Sequence, residues 1–210
     1  MGDQLPSETE LVQLFKVSRP SIREAVRTLC IFGFLEIRKG DGTYVKNPHL
    51  DHYYNGIQQS LELLIELKPK TFFEILEIQE VLETLSASEA VKNVKKEDLS
   101  LLTVAFNKLE RSLNNSKAYA EYDMAFHNTI ALCSHNTILY YFVSLLGSIL
   151  RPSYLEFSKT ESIAPSIHHG HKEIFRAISN RSKQDAVNAM KTHVENSRKV
   201  TRKFLKQKLT

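Results

Sequence analysis

The sequence predicts a mainly α protein: a small helix–turn–helix–hairpin unit, then an all-helical antiparallel bundle of about seven helices. Three observations carry this. Apolar residues recur at helical spacing through nearly all of the chain after residue 52. Glycine is scarce there, with only Gly56, Gly147 and Gly170. Alternating β-prone stretches are confined to one place, "FLEIRKGDGTYVKN", residues 34–47.

The elements follow in order. Ser7 is a good N-cap and Glu10 stands three residues on, a capping box that opens a first helix. Leu11, Leu14 and Phe15 continue it at helical spacing. Val17 and Ser18 make a short break, and Ser18 caps a second helix from about Arg19 to Phe32. Gly33 ends that helix, because a residue just past a helix adopts positive φ and glycine does so without strain. Phe34 to Arg38 and Thr43 to Lys46 then flank Lys39-Gly40-Asp41-Gly42, where Asp-Gly signals a hairpin. Helix, tight turn, helix, hairpin is the order of a winged helix-turn-helix over residues 1–48. "NPHLD", Asn47 to Asp51, marks the expected linker, and the domain bounds leave residues 49–52 to it. A helical domain over 53–210 follows, with helices near 53–67, 71–93, 97–114, 116–133, 137–158, 166–180 and 183–207. Lys68-Pro69, the Asp98 region, Asn114-Asn115, Ser134 to Asn136 and Thr160 to Pro165 separate them.

Bulk composition excludes several classes. With 210 residues, 42% hydrophobic and 25% charged, the chain can bury one or two real cores. No apolar run nears the ~18 residues that span a bilayer. "MGDQLPSETE" has neither the basic nor the apolar region of a signal peptide. Cys30 and Cys133 each sit in an apolar helical pattern, which suits a reducing compartment and excludes a disulfide framework. A cytoplasmic protein with no membrane partner is expected. Net charge is +4, but its distribution is uneven. Residues 16–46 carry seven Lys/Arg against three Asp/Glu, and residues 191–208 seven against one. Residues 47–190 carry 14 against 17, so two basic segments flank an acidic middle. The basic tail, Lys191 to Lys208, reads as cations near a helix C-terminus, where the helix dipole favours them.

In "LVQLFKVSRPSIREAVRTL", residues 11–29, Arg19, Arg23 and Arg27 fall four apart. On a helical wheel they span about 80°, beside an apolar face of Ile22, Ala25, Val26, Leu29 and Phe32. The wheel alone allows a solvated charged face as readily as a binding edge. The context favours the edge. The second helix of such a pair enters the DNA major groove N-terminus first. Arginine there can fork onto guanine or hold phosphate, and the Ser18 and Ser21 hydroxyls suit phosphate oxygens. Lys39 and Gly40 form a basic wing tip whose glycine permits close backbone approach.

"LPSETELVQLFKVSRPSIREAVRTLCIFGFLEIRKGDGTYV", residues 5–45, resembles the DNA-binding domain of the GntR family of bacterial transcription regulators. The helical remainder resembles the FCD effector domain of the FadR subfamily. The resemblance implies that Ser18, Arg19, Ser21, Arg23, Lys39 and Gly40 contact DNA, with Arg27 further along as a phosphate contact. It has two departures. Thr9 stands where the family usually has a DNA-contacting arginine, and the sequence starts at "GDQLPSE", so a reading head without the helix that normally precedes it is expected, through a shortened version or a start placed late.

Polar residues also face inward. Asp123 and His127, four apart in "AEYDMAFHNTIAL", share a face with Phe126, Ile130 and Ala131. His171 lies on the face of Ile174, Phe175 and Ile178, and His193 on that of Ala186, Ala189 and Met190. A single inward histidine is the ordinary mark of a satisfied core residue. Three of them with an aspartate make a metal set equally admissible, and imidazole with carboxylate suits Zn, Ni, Co, Mn or Fe(II). The resemblance implies the metal reading. Metal-binding FCD domains show Asp-x-x-x-His on one helix, a histidine at the start of a later one and a last histidine on the final helix. Asp123, His127, His171 and His193 match that order. It also implies a cavity for a small organic acid beside a divalent metal such as zinc or nickel. The family often carries an arginine where this chain has Gln79, which leaves Arg151 as the inner cation; Arg151 equally suits a helix cap near Pro152. His168 either lines the cavity or belongs to a solvated loop with His169. His135 falls in a predicted loop with no role.

The expectation is a ligand-responsive transcriptional repressor: a homodimer on double-stranded operator DNA, with a small organic acid as effector. The alternative is a metal-dependent hydrolase built in a helical bundle. No HExxH pattern and no nucleophile elbow support that alternative, and it leaves the reading head unexplained.

Overall fold

A computed structural model describes residues 2–46, 51–157 and 164–208. The chain divides into two compact units, residues 1–57 and 58–210. Of the expected linker, residues 47–50 lie outside the described residues, as does most of the expected loop at 160–165.

In the first unit, α1 (Glu8–Phe15) starts as its sequence dictates. The Ser7 hydroxyl accepts from the Glu10 N–H, and the Glu10 carboxylate accepts from the Ser7 N–H at 2.7 Å. Lys16 closes α1 in the left-handed region, φ 54°. α2 (Arg19–Ile31) is capped by Ser18, whose hydroxyl accepts from the Ser21 N–H, and Pro20 sits in the first turn, where no backbone donor is needed. Gly33 follows at φ +70°. β1 (Leu35–Arg38) and β2 (Gly42–Val45) pair antiparallel, with Leu35 opposite Val45 and Arg38 opposite Gly42.

Two features of this unit differ from the sequence expectation. Residues 2–5 lie along β2 as a third, irregular strand: Gly2 N–H reaches Val45 O, Val45 N–H reaches Asp3 O and Leu5 N–H reaches Thr43 O. Short polar segments carry no period, so the sequence gives no signal for this pairing. Gly42 makes it possible, since a Cβ there would stand 2.4 Å from the Gln4 amide nitrogen. Second, the apolar face of α2 is only partly covered. Ile22 is buried, but Leu29 and Phe32 are 41% and 48% exposed. A wheel gives the direction of a side chain, not whether anything lies opposite it.

The described residues of the second unit form helices joined by short turns, with no strand among them. α3 (Asp51–Leu67) crosses the division between units. α4 (Lys70–Asn93), α5 (Lys96–Arg111), α6 (Ser116–Cys133), α7 (Thr137–Phe157), α8 (Ala164–Ser179) and α9 (Lys183–Lys208) build the bundle. Asn115 caps α6 through its side-chain oxygen, and Asp98 satisfies the Lys95 N–H at the start of α5. α9 packs on α8 and α4, and α6 packs on α4, α5 and α7. The core joins Ala87 and Ala90 of α4, Leu102 and Phe106 of α5, Phe126 and Ile130 of α6, Ile174 and Ile178 of α8, and Met190 of α9. Burying each of these Leu, Ile, Phe and Met side chains contributes about 1.5–3 kcal/mol. α7 closes a smaller cluster of Leu139 and Val143 on Ala131. His135, expected in a role-free loop, turns the chain between α6 and α7 at φ 54° and bonds Asp98 at 2.8 Å.

Candidate metal centre and DNA-reading edge

The inward polar residues of four helices meet at one place in the bundle. His127 of α6, His171 of α8 and His193 of α9 are all buried, at 8%, 0% and 5% exposure. One ligand atom from each lies within 4.8 Å of the others. The His127 and His171 Nε2 atoms are 3.2 Å apart, and Asp123 Oδ1 is 2.9 Å from His171 Nε2. Metal bonds of about 2.0–2.1 Å at tetrahedral or octahedral angles put neighbouring ligand atoms roughly 2.9–3.4 Å apart. These two separations fall in that interval, and His193 stands within 4.8 Å, so Asp123, His127 and His171, with His193 beside them, could hold one divalent ion.

The outer partners set which nitrogen faces inward. Nδ1 of His127 meets the Glu83 carboxylate of α4. An ionised carboxylate only accepts, so Nδ1 carries the proton and donates, which leaves Nε2 for the cluster. Nδ1 of His171 is 3.2 Å from the Tyr119 hydroxyl, which leaves its Nε2 inward as well. Glu83 is 2% exposed, and its other oxygen accepts from the Gln79 amide at 3.1 Å. Gly170 lets α8 approach α9: a Cβ there would lie 2.7 Å from His193 Nδ1.

Electrostatics sort the three imidazoles. Burial, then the neighbouring His127 and His168, holds His171 well below the usual histidine range. Burial and the His171 and His127 rings do the same for His193. Burial opposes the charged form of His127 too, but Glu83 outweighs it and raises that histidine. Two neutral imidazoles are ready as ligands, and the third is poised to lose a proton to a metal. Burial also raises the Tyr119 phenol, with the Asp123 charge adding to it.

A small cavity opens beside the cluster, lined by Gln79, Glu83, Asp123, Met124, His127, Asn128, Gly147 and Arg151. Its volume of about 20 Å³ is water-sized. Two of the expected effector residues, Gln79 and Arg151, are thus in one cavity. The Arg151 Nε is buried with no hydrogen-bond partner. α7 runs on through Pro152 to Phe157, so Arg151 lies inside its helix rather than at a cap. His168 is not in that lining. It lies within α8 rather than in a loop, 8% exposed, and stacks on Phe106 with ring centroids 5.8 Å apart.

Glu83, Tyr119 and Gly170 escaped the sequence reading. For Glu83 a signal existed: Gln79, Glu83, Ala87 and Ala90 follow Phe72 and Leu76 down one helical stripe, and a glutamate on a buried stripe needs a partner.

In the first unit the arginines form one edge. Arg19, Arg23 and Arg27 line a surface concavity with Glu8, Glu24 and Ile37. Arg19 and Arg23 are exposed, with side-chain accessibilities of 67% and 71%. Ser18 and Ser21 hydroxyls touch at 2.8 Å at the leading end of α2, where backbone N–H groups point outward. Lys39 and Gly40 sit at the exposed hairpin tip, Gly40 at φ +80°.

Residues 74–196 match the FCD domain, more than half of the chain, and residues 1–45 match the bacterial regulatory proteins of the gntR family. The chain belongs to the GntR family of regulators that carry an FCD domain. It is 29% identical over 201 residues to the HTH-type transcriptional regulator LutR of Bacillus subtilis (strain 168), covering 93% of this chain and 90% of LutR. It is 30% identical over 197 residues to the HTH-type transcriptional repressor NanR of Salmonella enteritidis, covering 92% of this chain and 74% of NanR. Among solved structures, a Streptococcus agalactiae GntR protein matches with TM-score 0.71 at 24% identity, over 94% of this chain and 90% of that one. This GntR protein is accordingly a transcriptional regulator, and its relatives are regulators by name, which weighs against the hydrolase alternative. Among the described residues no helix is long and apolar enough to cross a membrane.

Proposed function

We propose that this GntR-family regulator is a metal-dependent repressor, which binds operator DNA as a homodimer and responds to a small organic acid. The observation that carries this reading is the convergence of three buried histidines and Asp123 beside a cavity lined by Arg151, whose buried Nε has no hydrogen-bond partner. Asp123, His127, His171 and His193 hold the ion, zinc, nickel or a similar metal. It supplies positive charge and open coordination for a carboxylate. Arg151 Nε faces the same ligand, and Gln79 offers it an amide. Because the cavity is water-sized, an acid enters only with movement of a side chain such as Met124, whose three rotatable bonds suit that.

On the DNA side, Arg19 and Arg23 read base edges. Ser18, Ser21, Arg27, Lys39 and Gly40 hold the backbone. Dimerisation is supported by an uncovered apolar stripe on α4, where Ile78, Val81 and Leu85 are 56%, 63% and 44% exposed. Two reading heads then address a near-palindromic site. The effector acts by preferring one arrangement of the dimer, so it must bind the two arrangements with different affinity.

The test is a thermal-shift screen of organic acids on zinc-loaded protein, followed by DNA binding with each hit. The reading expects at least one acid that stabilises the protein and changes its DNA affinity. If stabilising acids leave DNA affinity untouched, the metal site is structural and the sensing role fails.

A further inference from the structure

The arginine edge of α2 carries its own carboxylate. Glu8, the first residue of α1, turns both oxygens toward it. Oε2 accepts from Arg19 Nε at 3.2 Å, and Oε1 lies 3.7 Å from Arg23 Nε. One residue on one helix therefore engages two arginines a helical turn apart on the next. The other carboxylate of that concavity, Glu24, has no ion pair among the described residues.

The atoms engaged matter more than the ion pairs themselves. Exposed pairs contribute little to stability, between about 0 and 1 kcal/mol. But both contacts use Nε, the inner nitrogen of the guanidinium. Besides Nε, each guanidinium carries two terminal nitrogens that can donate to a further partner. A guanine presents two acceptors, O6 and N7, to such a fork. An arginine side chain has many rotamers, and ordering it on binding costs roughly 0.5–1.5 kcal/mol. An arginine already held at Nε meets a smaller part of that cost.

Glu8 has a plainer reading as an acidic first-turn residue that suits the helix dipole. That explains its position but not its aim, since Glu10 already satisfies the cap. A third consequence follows from its charge. A carboxylate between two arginines repels phosphate, so it penalises the backbone-only contacts that hold any DNA sequence.

We propose that Glu8 is a specificity-determining positioning residue, which holds Arg19 and Arg23 for guanine recognition and weakens sequence-independent binding. This rests on the DNA-reading assignment of α2.

The test uses the full chain and a duplex selected by the wild-type protein from a random-sequence pool, with a scrambled duplex as reference. Affinity for both is measured by fluorescence anisotropy over a salt series, for wild type, Glu8→Gln, Arg19→Lys and the double variant. Glu8→Gln keeps the size and removes the charge. The expected result is a loss of discrimination of roughly tenfold, with scrambled-duplex binding equal or tighter. Little further loss is expected on the Arg19→Lys background. The inference is overturned if Glu8→Gln tightens both duplexes by one factor, because Glu8 then only repels phosphate. It is overturned equally if discrimination is unchanged. If wild type itself selects no preferred duplex, the DNA-reading assignment falls, and this inference with it.

Discussion

His127 and Glu83 face each other across the contact between α6 and α4, with Nδ1 of the imidazole donating to a carboxylate that is 2% exposed. The bond fixes which nitrogen donates outward and turns Nε2 toward His171, whose own Nε2 meets Asp123. Outer partners of this kind commonly change metal affinity by about 10–100-fold. Glu83→Gln should therefore weaken zinc binding by that factor, and Glu83→Ala by more. Competition with a chromophoric chelator measures it. Unchanged affinity in both variants would show that His127 needs no orienting partner.

The same pair predicts a pH dependence. Although burial lowers it, Glu83 raises His127 in the folded protein from 6.5 to about 9. The charged imidazolium therefore stabilises the metal-free fold fully below pH 6.5, and that contribution is lost as pH rises toward 9. Metal needs the Nε2 lone pair, so between those limits it must displace a proton. Calorimetric titration at pH 7.5 in buffers of different ionisation enthalpy should show about one proton released per ion, with apparent affinity rising roughly tenfold per pH unit. A flat affinity between pH 6.5 and 9 would remove His127 from the ligand set.

Gly170 sets how closely α8 and α9 approach. A methyl group there meets His193 Nδ1 at 2.7 Å and its Cβ at 3.1 Å. Gly170→Ala should cost about 1–3 kcal/mol of stability by overpacking and should displace His193 from the cluster. Thermal melts and zinc stoichiometry check both effects. A variant that melts with wild type and holds a full metal complement would mean that the helices part without disturbing the site.

Arg23→Ala should abolish binding to the selected duplex while leaving folding and metal content intact. The side chain is exposed, and among the described residues its ion pair is with Glu8. Anisotropy and circular dichroism read the two halves of that statement. Specific binding at wild-type strength would mean that α2 is not the reading helix.

Helix caps and periodic stripes were legible because they are local. Ser7 with Glu10, Ser18 before Pro20, and Gly33 after α2 each act within one turn, and all three stand where residue chemistry puts them. His127, His171 and His193 were legible as polar residues on apolar faces, and burial agrees. What stayed hidden depends on partners distant in sequence. Glu83 lies 44 residues from His127, and Tyr119 lies 52 from His171. Periodicity reports which way a side chain points and nothing about what it meets. The pairing of residues 2–5 with β2 is a main-chain event that leaves no side-chain pattern. His168 shows the converse: its neighbours in sequence suggested a loop, but stacking on Phe106 buries it within α8.

Metal analysis by mass spectrometry decides whether the buried histidine cluster holds a divalent ion. Full-length protein is loaded with zinc, desalted and analysed beside His171→Ala, with circular dichroism confirming helicity in both. About one ion per wild-type chain and a clear loss in the variant are expected. No bound metal in the folded wild type, or equal metal in both proteins, would contradict it.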